Sequence, residues 1–206
     1  MPKLVITSLT YPQRRLEDWK KGNHRMLTSS GASAYLKKIV AMKVARRGGG
    51  RRFFGEAYVA TRITHQEGFY GSFKWLTNAR FSDGRPFPAG RTKRLKDQLR
   101  KVLTKHFTEE GLQVLRERAR RFKKETGVRP VPPDLWLVDR RGNHRFIEVK
   151  LEGDRIRRAQ LAGLALIASC LHAKARISVE IVELHPDHQE HQQTFKRHCG
   201  VLRRTS

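Results

Sequence analysis

The sequence predicts an α/β domain, a mixed β-sheet flanked by helices, and three stretches of its last third carry that expectation. Residues 135–150 read as two short strands around a turn, 155–170 as an apolar helix, and 177–181 as a further strand. At 206 residues the chain can fill one domain with extensions.

Taken in order, the chain up to about Arg52 carries thirteen Lys and Arg against Glu17 and Asp18, the balance expected of a basic N-terminal arm over residues 1–52. Within it Tyr35, Leu36, Ile39, Val40 and Val44 recur at helical spacing from Ser33 to Val44. The run Gly48-Gly49-Gly50 ends that helix, since consecutive glycines favour a turn. Phe54, Ala57, Tyr58 and Ile63 suggest a second helix over 53–63, opening the main domain at 53–184. Phe69 to Phe81 alternates loosely, like one or two strands, before a loop marked by Asp83-Gly84-Arg85-Pro86 and Pro88-Ala89-Gly90. From Thr92 to Glu125 apolar residues such as Leu95, Leu99, Leu112 and Leu115 fall at helical intervals, and thirteen basic residues face four acids between Arg91 and Lys124. That pattern predicts a basic helical hairpin inserted at about 91–126, a face that either grips a polyanion or is simply solvated.

The hairpin pairs Leu135–Val138 with His144–Lys150 across Asp139-Arg140-Arg141-Gly142-Asn143. Asp154 is the expected cap of a helix from about Arg155 to Cys170, whose stretch Leu161–Ala168 is apolar on nearly every side and so should be covered on both. Ile177, Val179 and Ile181 alternate with Ser178 and Glu180, giving a further strand, and residues 185–206 read as a polar tail.

With 44 Lys and Arg against 19 acids, the formal charge is +25, and a compact body so charged repels itself until a polyanion neutralises it. Nucleic acid is the partner this predicts. A membrane partner is not expected, because no apolar helix face or lipid site accompanies the charge and no apolar run approaches the ~20 residues that span a bilayer. A non-catalytic nucleic-acid-binding protein, for DNA or for RNA as in a ribosome-associated protein, fits the composition equally well. Cys170 and Cys199 cannot build a disulfide framework and no signal segment opens the chain, so a reducing, cytoplasmic setting is expected.

Chemistry enters with Asp134, Glu148 and Lys150. Side chains alternate along a strand, so Glu148 and Lys150 share one face while Val149 points away into the core. If Asp134 comes in from the neighbouring strand, the two carboxylates can share a hard cation, the Val149 carbonyl can add a ligand, and Lys150 can orient or help deprotonate a water.

Pro133-Asp134-Leu135, Phe146-Ile147-Glu148-Val149-Lys150, Gly153-Asp154-Arg155-Ile156 and Gln160 fall in an order and spacing that resembles the VRR-type nuclease domain, a branch of the PD-(D/E)xK superfamily. The resemblance covers about a quarter of the chain, roughly Val131 to Leu184. It departs from the family pattern at Pro132, at Arg157 and around Ala162 and Gly163, where glycine, serine and tryptophan are usual. It implies a restriction-endonuclease-like fold and a Mg2+- or Mn2+-dependent nuclease selective for branched, flapped or junction DNA. It further implies Asp134 and Glu148 as metal ligands, Lys150 as a catalytic residue, and Gln160 positioning the site from its helix. The acid that the family draws from an early helix would be Glu56. For gripping the backbone, Arg51, Arg52, Lys93, Arg94, Lys101, Arg120, Arg121 and Arg155 are the expected contacts, and a homodimer would suit a symmetric junction.

Three other signals are weaker. His185, His188 and His191, with His198 and Cys199, invite a zinc site but read better as a solvated tail. Cys170 and His172 close a buried helix and are expected to pack. Among the tryptophans, Trp19 and Trp75 could stack on bases, whereas Trp136 sits at a core position of its strand.

Overall fold

The computed structural model describes residues 4–25, 27, 36, 37, 40, 50–70, 104–171 and 176–187. Their elements are β1 (Leu4–Tyr11), α1 (Gln13–Lys20), α2 (Phe54–Arg62), β2 (Glu67–Tyr70), α3 (Glu109–Thr126), β3 (Leu135–Val138), β4 (His144–Leu151), α4 (Arg158–Cys170) and β5 (Ile177–Pro186). The strands form one sheet in the order β1-β5-β4-β3-β2. β2 and β4 both run antiparallel to β3. β4 and β5 run the same way: His144 N–H donates to the Arg176 carbonyl at one end and Glu152 N–H to the Leu184 carbonyl at the other, at 2.8 and 3.1 Å. A parallel pair needs a long crossover, and α4 supplies it. The sheet is therefore mixed and flanked by helices, the α/β class expected.

Contacts divide the chain into two compact units, one of residues 1–7, 64–149 and 155–181, the other of 8–63, 150–154 and 182–206. In the first unit, Trp136, Val138 and Phe146 from the hairpin pack with Leu112 and Leu115 of α3, Leu164 and Ile167 of α4, and Val179 and Ile181 of β5. Trp136 and Phe146 lie opposite in the register and stack with ring centroids 5.7 Å apart. The hairpin turn is closed by Asp139, whose carboxylate accepts the Arg141 and Asn143 N–H groups at 2.8 Å and the Asn143 side-chain amide at 2.9 Å. Those donors hold its pKa below the ordinary value. The helix α3 begins at Thr108, whose hydroxyl accepts from Gly111 N–H, and stops at Gly127, which takes φ 69° at little cost because it has no Cβ.

In the second unit the core is aromatic. Tyr11, Trp19, Phe54 and Tyr58 are all buried. Tyr11 meets Phe54 edge-on with centroids 5.1 Å apart, the Trp19 indole N–H donates to the Arg52 carbonyl at 3.0 Å, and the Tyr58 hydroxyl donates to the Thr10 carbonyl at 2.9 Å.

Several expectations are corrected. The first stretch is no bare arm: β1 enters the sheet, α1 follows it, and Trp19 is fully buried, which removes it as a base-stacking residue. The β-branched run Val5-Ile6-Thr7, with Thr10 beyond it, is the sequence signal for that strand. The helix expected over Ser33–Val44, the strands beyond Tyr70, the first limb of the basic hairpin, and Trp75, His172, His188, His191, His198 and Cys199 lie outside the described residues. His185 belongs to β5, which runs two residues into the expected tail. Glu180 is 5% exposed, clasped by the Arg145 guanidinium through two bonds of 2.8 and 2.6 Å, a geometry that only the fork of an arginine supplies. Asp154 caps no helix; it accepts from the Leu151 N–H and pairs with Arg51, and α4 starts at Arg158.

His144 is 2% exposed, and its Nδ1 accepts from the Trp136 indole N–H at 3.1 Å. Burial, reinforced by repulsion from His106, pushes its pKa down to about 4 from an ordinary 6.5. Between those values the unfolded chain holds a proton that the folded chain refuses, so stability falls as pH falls through that window. Chemical denaturation should show a loss on the order of 2–3 kcal/mol between pH 7 and pH 4 from this residue. His144→Asn keeps an acceptor for Trp136 without titrating, and its stability curve should be flatter there by that amount; an unchanged slope would refute the assignment.

Candidate active site

The hairpin register pairs Leu135 with Ile147. Asp134 immediately precedes that last pair on its strand, and Glu148 immediately follows it on the other. Asp134 Oδ2 accepts the Val149 N–H at 3.0 Å, which anchors the residue just before β3 to the end of β4. In an antiparallel pair a residue's N–H and carbonyl point toward the same neighbour, so the Val149 carbonyl is directed toward the side from which Asp134 comes.

Glu148 is 1% exposed. A carboxylate so placed needs hydrogen bonds to offset lost hydration. Gln160, at the third position of α4 and 5% exposed, donates from Nε2 to Glu148 Oε1. Its own Oε1 accepts the Arg157 backbone N–H at 2.9 Å, the return bond of a helix N-terminal cap. That second bond fixes which end of the amide faces which partner. With the oxygen committed to a backbone donor, the NH2 must point at Glu148, and the carboxylate there must act as acceptor. Gln160 and Glu148 are thus joined directly, and Asp134 is tied to the residue after Glu148, all within the first unit.

Lys150 stands two residues beyond Glu148 in the same strand, half-buried and on the same side by alternation. Glu56 lies half-buried in the first turn of α2, within the second unit. Among the residues expected to grip a backbone, Arg51 is bound to Asp154 at 2.7 Å and to the Glu152 carbonyl, so its charge already has an internal partner. Arg52, Arg121 and Arg155 are exposed and Arg120 is half-buried on α3; Lys93, Arg94 and Lys101 lie outside the described residues.

Whether the cluster suits a divalent cation is decided by its donors. Two carboxylates with a main-chain carbonyl between them offer hard oxygens only. Among the described residues no three His, Cys, Asp or Glu side chains converge on one point. Carboxylate and carbonyl oxygens are hard donors of the kind that Mg2+ takes, one or two at a time, beside several waters.

The family model of the VRR-NUC domain matches residues 77–183, just over half of the chain, and that span contains Asp134, Glu148, Lys150 and Gln160. Neither the curated proteins nor the solved structures give a match.

Removing Gln160 should cost stability twice over, through the lost cap and through a buried carboxylate deprived of its donor. Gln160→Ala is expected to destabilise by about 2–4 kcal/mol. Gln160→Glu sets two acceptors against each other and should lose more at pH 8 than at pH 5, read by urea unfolding at the two values. Equal losses at both would sink the donor assignment.

Proposed function

The chain belongs to the VRR-NUC domain family, a nuclease family whose substrate is nucleic acid, and on that premise we propose that it hydrolyses DNA phosphodiester bonds with Mg2+ or Mn2+ held by Asp134 and Glu148. What supports this reading is the placement of Asp134 just before β3 and of Glu148 on the partner strand β4, one accepting the Val149 N–H and the other a glutamine amide. The Val149 carbonyl would complete the protein's share of the ligands. When bound, the cation supplies charge stabilisation at the phosphorus and lowers the pKa of an attacking water.

The chain's own groups do the rest. Gln160 aims Glu148, its amide donating to one carboxylate oxygen while its own oxygen is held by the Arg157 N–H. Lys150, two residues along β4 from Glu148, would supply an ammonium that can hold a phosphate oxygen or orient the water. Glu56 is the acid we assign to the early helix. Electrostatic capture comes from a chain of net charge +25, with Arg52, Arg120, Arg121 and Arg155 contacting phosphates irrespective of sequence. Branched, flapped or junction DNA is the substrate class in this reading, and a homodimer would present two sites to a symmetric junction.

The test is cleavage of branched, flapped, duplex and single-stranded DNA in either metal. Asp134→Ala and Glu148→Ala should reduce cutting to background, and Lys150→Ala should slow it by about 10²–10⁴-fold. Cutting that survives Asp134→Ala or Glu148→Ala would overturn the proposal; tight binding without cutting by the unaltered chain would leave a non-catalytic nucleic-acid-binding protein. Arg120→Ala with Arg121→Ala should weaken binding alike on all sequences and flatten the dependence of log K on log salt by about 1–2.

A further inference from the structure

Gly163 lies one turn into α4, buried, with the backbone of Val131 laid directly on it. A methyl group built at Gly163 would overlap the Val131 carbonyl oxygen and stand 2.7 Å from its carbon and 3.3 Å from its nitrogen. The obstacle is main chain, so no rotamer change can relieve it. One turn back on the same face, the Ala159 carbonyl accepts the Val131 N–H at 2.9 Å. Val131 is therefore held by a hydrogen bond at one residue and by absence of a side chain at the other, four positions apart as helix geometry requires for a shared face.

Three residues later comes Asp134. The link between is Pro132-Pro133, in which each ring locks its own φ and restricts the residue before it to extended conformations. Few soft torsions remain between the docked Val131 and the carboxylate at the head of β3. Gln160, the residue that aims Glu148, sits in the same first turns of α4. One helix thus sets both acids, Glu148 through an amide and Asp134 through a stiff tether.

We propose that Gly163 is a positioning residue for the metal site: the close approach it permits fixes Asp134 relative to Glu148. This rests on the reading of those two carboxylates as cation ligands. A bulkier residue displaces Val131, and through the two prolines it moves Asp134, on the scale of the 1 Å misplacement that costs about 10²-fold in rate.

The test compares Gly163→Ala with Ile167→Val in the full chain. Ile167 is a core residue of the same helix, so its substitution supplies ordinary destabilisation without touching the tether. Mn2+ binding is measured directly by calorimetry at a temperature where circular dichroism shows each protein folded, and cleavage is followed in parallel. Gly163→Ala should weaken Mn2+ binding by about 10-fold or more and lower kcat by about 10²-fold with little change in KM for DNA. Ile167→Val should do neither. Pro132→Ala loosens the tether without altering α4, and should weaken Mn2+ binding in the same direction; it decides the matter if Gly163→Ala does not fold. Equal Mn2+ affinity in all the folded proteins overturns the role of Gly163 while leaving the nuclease reading intact. Failure of the unaltered chain to bind Mn2+ overturns both.

Discussion

A carboxylate nine-tenths or more out of water is the constraint around which the first compact unit is arranged. Glu148, on the central strand β4, is tolerable there because a helix delivers an amide to it, and the helix can do so only because that amide's oxygen is spent on the Arg157 N–H. Capping and site construction are the same act. The helix that crosses from β4 to β5 starts where its third residue reaches back to the strand it has just left, which is why α4 opens at Arg158 and not near Asp154.

The surrounding core explains why such a bond can persist. Trp136 and Phe146 stack on the face that Asp134 and Glu148 extend, and α3 and α4 close over them. Rigid aromatic packing fixes the register, and register decides which face every later side chain occupies. A second buried carboxylate, Glu180, shows the contrasting solution: Arg145 neutralises it with a two-pronged bond, leaving it a structural pin.

Much of this was legible residue by residue. The hairpin was readable because a five-residue turn rich in Asp, Gly and Asn separates two β-branched and aromatic runs, and α2, α4 and β5 followed from apolar periodicity. Strand alternation put Glu148 and Lys150 on one face, whereas Gln160 was named only through the resemblance to the VRR-type family, and the structure shows its amide bonded to Glu148. The strand β1 is hard to read because the charge of residues 1–52 masks a β-branched run of a few residues within it. Buried Trp19 was invisible for the same reason, its neighbours Lys20 and Lys21 being as basic as any solvated arm.

Sequence by itself determined the local preferences: which runs extend, which coil, and which residue types bear the chemistry, because these depend on neighbours a few positions away. Only the tertiary structure decided the pairings between distant segments. That Gln160 faces Glu148, that Arg145 claims Glu180, that Arg51 ends on Asp154 and that Val131 rests on Gly163 are outcomes of packing, where desolvation and excluded volume select one partner from many that the charges alone would permit.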